Sequence, residues 1–255
     1  MEVSGKSTPD QWGCCGQDEV TMRDIEKIPT IFTFNHTPVK ARPGFWPMVL
    51  GVWAMLTWLG RWRWPGQSWG AYLLVGGIGT VLGMLVDVGH ACAHTIGARL
   101  ANAPMDVVLL GADMPRTLYW NNDVPPRAHI MRSLGGPVYS GIGLLIGLMW
   151  LWVVPVETAV HYLGEIWTIG NGFIFLAIFA PLPIVDGGVI LKWLLVIFGR
   201  TEVQADAWVR HLGLGFSVIL LGAALLFLIS SNWLAGGLLS LFGAVSLAAS
   251  FNFIR

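Results

Sequence analysis

Long apolar stretches separated by short polar breaks dominate the chain from about residue 45 onward. Six segments reach membrane length. They run from about Phe45 to Trp62, Ser68 to Arg99, Ser133 to Val154, Trp167 to Phe198, Trp208 to Ser230 and Trp233 to Phe253. The fourth is interrupted at Ala180-Pro181-Leu182-Pro183-Ile184-Val185-Asp186-Gly187-Gly188, where two prolines and a diglycine break a helix. The last two are rich in small residues suited to close helix packing. Between about Leu100 and Arg132 the hydrophobicity falls. There, residues 105–110 and 116–120 flank Gly111-Ala112-Asp113-Met114-Pro115, the pattern of a hairpin. Such a hairpin is either a plain connection or an edge to which an extended peptide adds. Residues 1–44 are polar and carry both charge signs, and they read as a soluble, flexible arm with a short amphipathic helix near Glu19 to Ile28.

Composition agrees with this pattern. Of 255 residues, 55% are hydrophobic and 12% charged, and the mean hydropathy is +0.63, values that belong to the membrane class. The expected fold is therefore an all-α integral membrane protein of six transmembrane helices, with the 45–255 region as its membrane domain. Zero net charge gives no reason to expect nucleic acid as a partner. Tryptophans near the segment ends read as an interfacial belt. Lys and Arg concentrate before the first segment, between the second and third and between the fourth and fifth, which places both termini in the cytoplasm. No phosphate loop or dinucleotide fingerprint is present, and the polar N-terminus is not a cleavable signal peptide. Cys14, Cys15 and Cys92 suggest no disulfide framework, and the adjacent pair reads as two exposed thiols.

Two polar features are costly at membrane depth. His90 and His94 stand at i and i+4 near the end of the second segment, on one helix face and within reach of one metal ion. Asp186 stands at the break in the fourth segment. Zinc takes three protein ligands and a water at catalytic sites, and His90, His94 and Asp186 form such a set. Asp87 lies one turn before His90. The cluster Glu157, His161 and Glu165 reads as a solvated loop face. His129 and His211 read as meeting water or headgroups near helix starts.

Three separated stretches resemble the site-2 protease family of intramembrane zinc metalloproteases. His90-Ala91-Cys92-Ala93-His94 is similar to its His-Glu-x-x-His. The stretch Pro181 to Gly188 is similar to its Pro-rich Leu-Asp-Gly-Gly motif, and Ser133-Leu134-Gly135-Gly136-Pro137 to the Ala-Gly-Pro stretch that opens its third helix. The resemblance implies a core at about residues 69–200 with a short cytoplasmic β-hairpin between its second and third helices, and additional helices at 208–230 and 233–253. It implies one Zn2+ per chain on His90, His94 and Asp186, near the cytoplasmic face. It also implies a membrane-anchored protein substrate or partner, entering beside the hairpin; which residues contact it is not fixed by the motifs, and Val108, Leu110, Gly136, Pro137 and Pro183 are the candidates.

The departures from the family pattern bear on activity. Ala91 occupies the position of the glutamate that acts as general base. Two positions where the family often has asparagine are Ile178 and Ser140. Loss of a positioned general base costs about 10²–10⁴-fold in rate. The expected function is an intramembrane metalloprotease-like protein that is inactive or severely impaired as written, with Ala91 either engineered or natural. The alternatives are a natural zinc-binding pseudoprotease that holds membrane partners without cutting, and a transporter or structural bundle in which the histidines are incidental.

Overall fold

The computed structural model describes residues 22–252. Cys14 and Cys15 fall outside the described residues. A short helix α1 (Met22–Lys27) leads into strands β1 (Thr30–Phe34) and β2 (Thr37–Ala41), followed by α2 (Phe45–Arg63) and α3 (Trp69–Leu100). Strands β3 (Val107–Leu110) and β4 (Arg116–Leu118) connect α3 to α4 (Pro126–Val153). The chain continues through α5 (Ala159–Leu176), a 3₁₀ turn, α6 (Asp186–Ile197), α7 (Glu202–Ile229) and α8 (Trp233–Asn252).

The expected hairpin is present as β3–β4, with Val108 opposite Thr117. It does not stand alone. Residues 30–41, read from sequence as part of a flexible arm, form β1 and β2 and extend it into a four-stranded sheet of order β1-β2-β3-β4. The β1–β2 turn uses Asn35 and His36 at φ of 47° and 59°, a left-handed conformation that asparagine tolerates well. β2 and β3 run parallel, pairing Val39 with Val108 and Ala41 with Leu110. Side chains alternate across β2, and Val39 and Ala41 pack with Phe45, Ala91, Cys92, Val108 and Leu110 into one apolar cluster. The sheet is thereby fastened to the face of α3 beside His90 and His94.

Among the described residues, four helices are long and apolar enough to cross a membrane: α3, α4, the stretch Ala159–Phe179 and α7. The chain is an integral membrane protein, although this count differs from the six spans expected. The tryptophans of α2, with Arg61 and Arg63, dilute its apolar character. The apolar part of α8 is the shorter run Ala235–Phe251.

The expected fourth segment is resolved into two helices. Thr158 caps α5 by accepting from His161 N–H at 3.1 Å, so the helix begins well before Trp167 and takes His161 and Glu165 into its first turns. His161 is consequently buried and donates from Nδ1 to the Val154 carbonyl at 2.8 Å, and Glu165 pairs with Arg63 of α2 at 2.8 Å. The solvated loop expected there is instead a contact between helices. α4 likewise starts earlier than expected, at Pro126, where proline's missing N–H costs nothing.

Glycines set the spacing of the central helices. A Cβ on Gly97 would overlap the Met131 carbonyl, and one on Gly135 would overlap the Ala93 carbonyl, so α3 and α4 meet backbone to backbone.

Candidate metal centre

The two histidines of α3 and the first residue of α6 converge on one point. His90 Nε2 and His94 Nε2 are 3.1 Å apart with their rings nearly perpendicular. Asp186 reaches His90 Nε2 with Oδ2 at 3.1 Å and His94 Nε2 with Oδ1 at 3.4 Å. Among the described residues these three alone bring metal-ligating atoms into one group, all within 4.8 Å of each other.

Asp186 owes its place to the break before it. The prolines stop the preceding helix, and Leu182, Val185 and Gly188 join by turn hydrogen bonds of 3.2 and 3.1 Å. Gly187 and Gly188 lie against the carbonyls of Ile178 and Leu182, leaving no room for a Cβ at either position. The first turn of α6 can seat against the 3₁₀ turn and the proline-rich break only because both residues are glycine.

The far side of each imidazole is also held. His94 Nδ1 lies 2.7 Å from the Arg132 carbonyl, which can only accept, so Nδ1 carries the proton. The Gly136 N–H lies 3.4 Å from the same atom, a weaker contact that does not change this assignment. His90 Nδ1 lies 2.9 Å from Oγ of Ser140, which is fully buried and can accept its proton. With both protons on Nδ1, the two Nε2 lone pairs and the Asp186 carboxylate face one another. Three acceptors at 3.1 to 3.4 Å repel unless a cation stands between them. Ligand atoms around a tetrahedral ion with bonds of about 2.0–2.1 Å lie about 3.3 Å apart, so the spacing and the donor set fit a metal.

Gly136 packs directly on this pair, since an added Cβ would overlap Nε2 of both histidines. Pro137 is buried within α4 and Pro183 is half-buried in the break. Val108 and Leu110 are almost fully buried, on an interior strand between β2 and β4. Any edge for an added peptide on this hairpin therefore belongs to β4, not to the strand that carries them. Ala91 is 3% exposed and faces the apolar cluster beneath the sheet. Asp87 is half-buried and does not join the converging ligand group.

Several polar residues differ from their sequence reading. His129 is buried, not solvated, and stacks on Trp193 of α6 at 3.8 Å between ring centres. Arg132 and Ser140, which orient the two histidines, were not recognisable as such: no spacing rule says which residue of a neighbouring helix will face an imidazole. Among the described residues, Arg132 Nη1 and His129 Nε2 have no hydrogen-bond partner.

No protein-family model and no curated protein sequence matches the chain. The fold is similar to that of the site-2 protease from Methanocaldococcus jannaschii, with a TM-score of 0.54 and 16% identity over 89% of this chain and 95% of that one. At this identity the likeness shows the fold, which is site-2-protease-like.

Proposed function

We propose that this chain is an intramembrane metalloprotein of the site-2 protease type, holding one zinc ion with His90, His94 and Asp186. The observation that carries this reading is the convergence of three acceptors, with both imidazoles oriented from behind, inside a fold of that kind. Bound zinc would supply Lewis acidity toward a peptide carbonyl and a water of lowered pKa. The chain's own residues supply the orientation of the ligands through Ser140 Oγ and the Arg132 carbonyl. They do not supply a proton carrier where the resemblance expects one, because the methyl group of Ala91 neither accepts nor donates a proton. Peptide hydrolysis is accordingly absent or very weak in the chain as written.

The partner proposed is a membrane-anchored protein that presents an extended segment along the outer edge of β4. The orientation proposed has both termini and the metal site on the cytoplasmic side, a reading supported by the distribution of Lys and Arg.

One observation favours a second reading, a natural pseudoprotease that binds such partners without cutting. Ala91 sits among Val39, Ala41, Phe45, Val108 and Leu110, surroundings suited to a methyl group and costly for a carboxylate.

Elemental analysis of detergent-purified protein tests the metal site. About one tightly held zinc per chain is expected. Absence of zinc after loading and dialysis would reduce the likeness to fold alone. Cleavage of a membrane substrate by zinc-loaded Ala91→Glu then separates the impaired protease from the pseudoprotease.

A further inference from the structure

Arg132 touches the metal centre with its backbone and the β3–β4 hairpin with its side chain. Its carbonyl accepts the Nδ1–H of His94 at 2.7 Å. A carbonyl has two lone pairs and can take this bond beside a helical one. Pro137, which has no N–H, removes the helical donor of the neighbouring Ser133 carbonyl and not that of Arg132.

The guanidinium extends the other way. Nε donates to the Ala103 carbonyl at 2.8 Å, in the loop that leads into β3. Nη2 donates to the Asn121 carbonyl at 3.2 Å, in the loop that leaves β4. Its central carbon lies 4.3 Å over the ring of Tyr119, directly after β4. The residue is 2% exposed, so these contacts are sheltered from water. One rigid, planar cation thus holds both ends of the hairpin, and a shift of either end must move it or break a charge-assisted bond. The backbone carbonyl of the same residue is the acceptor that sets the orientation of His94.

We infer that Arg132 is a positioning residue that couples the order of the β3–β4 hairpin to the metal-ligand geometry of His94. The inference rests on the metal reading above. Coupling between two sites is reciprocal, so metal on His94 must steady the hairpin as much as a steadied hairpin tightens the metal.

The test is amide hydrogen exchange over residues 107–110 and 116–118 of the full chain in detergent, with and without zinc. It compares the wild type with Arg132→Lys, which keeps the charge but loses the planar fork whose separate nitrogens reach Ala103 and Asn121 and the flat face that lies on Tyr119. Tyr119→Leu, which removes the platform without altering a helix, serves as the second variant. In the wild type, zinc should slow exchange of these amides about tenfold, within the usual range of coupling between sites. In Arg132→Lys the slowing should fall below about twofold, and zinc affinity should drop by about 10- to 100-fold. A merely structural arginine would lower the melting temperature and leave the zinc-dependent slowing intact. Equal slowing in the wild type and both variants overturns the coupling, as does zinc binding that slows no hairpin amide in the wild type. Should Arg132→Lys fail to fold, loss or persistence of the slowing in Tyr119→Leu decides. A wild type that binds no zinc removes the metal reading itself, a result distinct from zinc binding without coupling.

Discussion

Gly136 of α4 faces His94 of α3 so closely that a single added methyl group would overlap its Nε2, and it bears on His90 Nε2 in the same way. The imidazole pair is thus packed against bare backbone, and the neighbouring helix closes one side of the candidate site. Gly136→Ala is expected to force α4 away from the imidazoles. Zinc affinity, measured by chelator competition, should fall more than about tenfold, as for other changes around metal ligands. Far-UV circular dichroism should change little, since alanine is a better helix former than glycine. Unchanged affinity in this variant would mean that the ion does not lie between His90 and His94.

Metal removal should act on stability as well as on the site. A ligand that binds only the folded chain stabilises it by about 2.7 kcal/mol at a free concentration one hundred times its Kd. Chelation is therefore expected to lower the melting temperature of the wild type. Asp186→Asn, which keeps the shape of the side chain but loses its charge, should melt at a temperature that zinc and chelator alter far less. Equal responses from the two proteins would remove Asp186 from the ligand set.

Ala91→Glu tests catalysis. The added carboxylate enters the cluster formed by Val39, Phe45, Val108 and Leu110, where burial without a partner disfavours the charged form. The variant should melt at a lower temperature than the wild type. If the chain is an impaired protease, a zinc-loaded sample should gain about 10²–10⁴-fold in cleavage of a membrane-anchored substrate. A folded, zinc-loaded variant with no gain leaves the pseudoprotease reading standing.

Ser140→Ala removes the side chain that meets His90 Nδ1 and leaves a buried N–H without an acceptor. Loss of such an orienting contact lowers metal affinity by about 10- to 100-fold. Isothermal titration with zinc should show this loss at unchanged stoichiometry. Ser140→Thr, which keeps the hydroxyl, should recover part of the affinity, and failure of the two variants to differ would show that the hydroxyl plays no part.

Two elements show how much could be read without the fold. The i, i+4 spacing of His90 and His94 needs only helix geometry to place both on one face, and the prolines and glycines around Asp186 announce a broken helix. The β3–β4 hairpin was legible for the same reason, because its turn residues and flanking apolar runs are local. A local signal for the start of α7 was also present: Thr201 and Gln204 form a capping box, which moves that start from the expected Trp208 to Glu202. By contrast, the place of β1 and β2 in a sheet with β3 was not legible. Their short polar-flanked runs look like arm; β1 pairs locally with β2, and parallel pairing of β2 with a strand far along the chain joins both to the sheet.

The sequence by itself determined the membrane class, the donor chemistry of His90, His94 and Asp186 and the absence of a proton carrier at Ala91. Hydropathy, helical periodicity and side-chain identity are properties of residues and their near neighbours. Only the tertiary structure decided that Asp186 meets the two histidines at 3.1 and 3.4 Å, and that Ser140 and the Arg132 carbonyl hold them from behind. It also decided that Ala91 turns toward an apolar cluster under a four-stranded sheet. Those relations depend on how closely α3 and α4 approach, which Gly97 and Gly135 set, and on how α6 folds back on the break before it, which Gly187 and Gly188 allow.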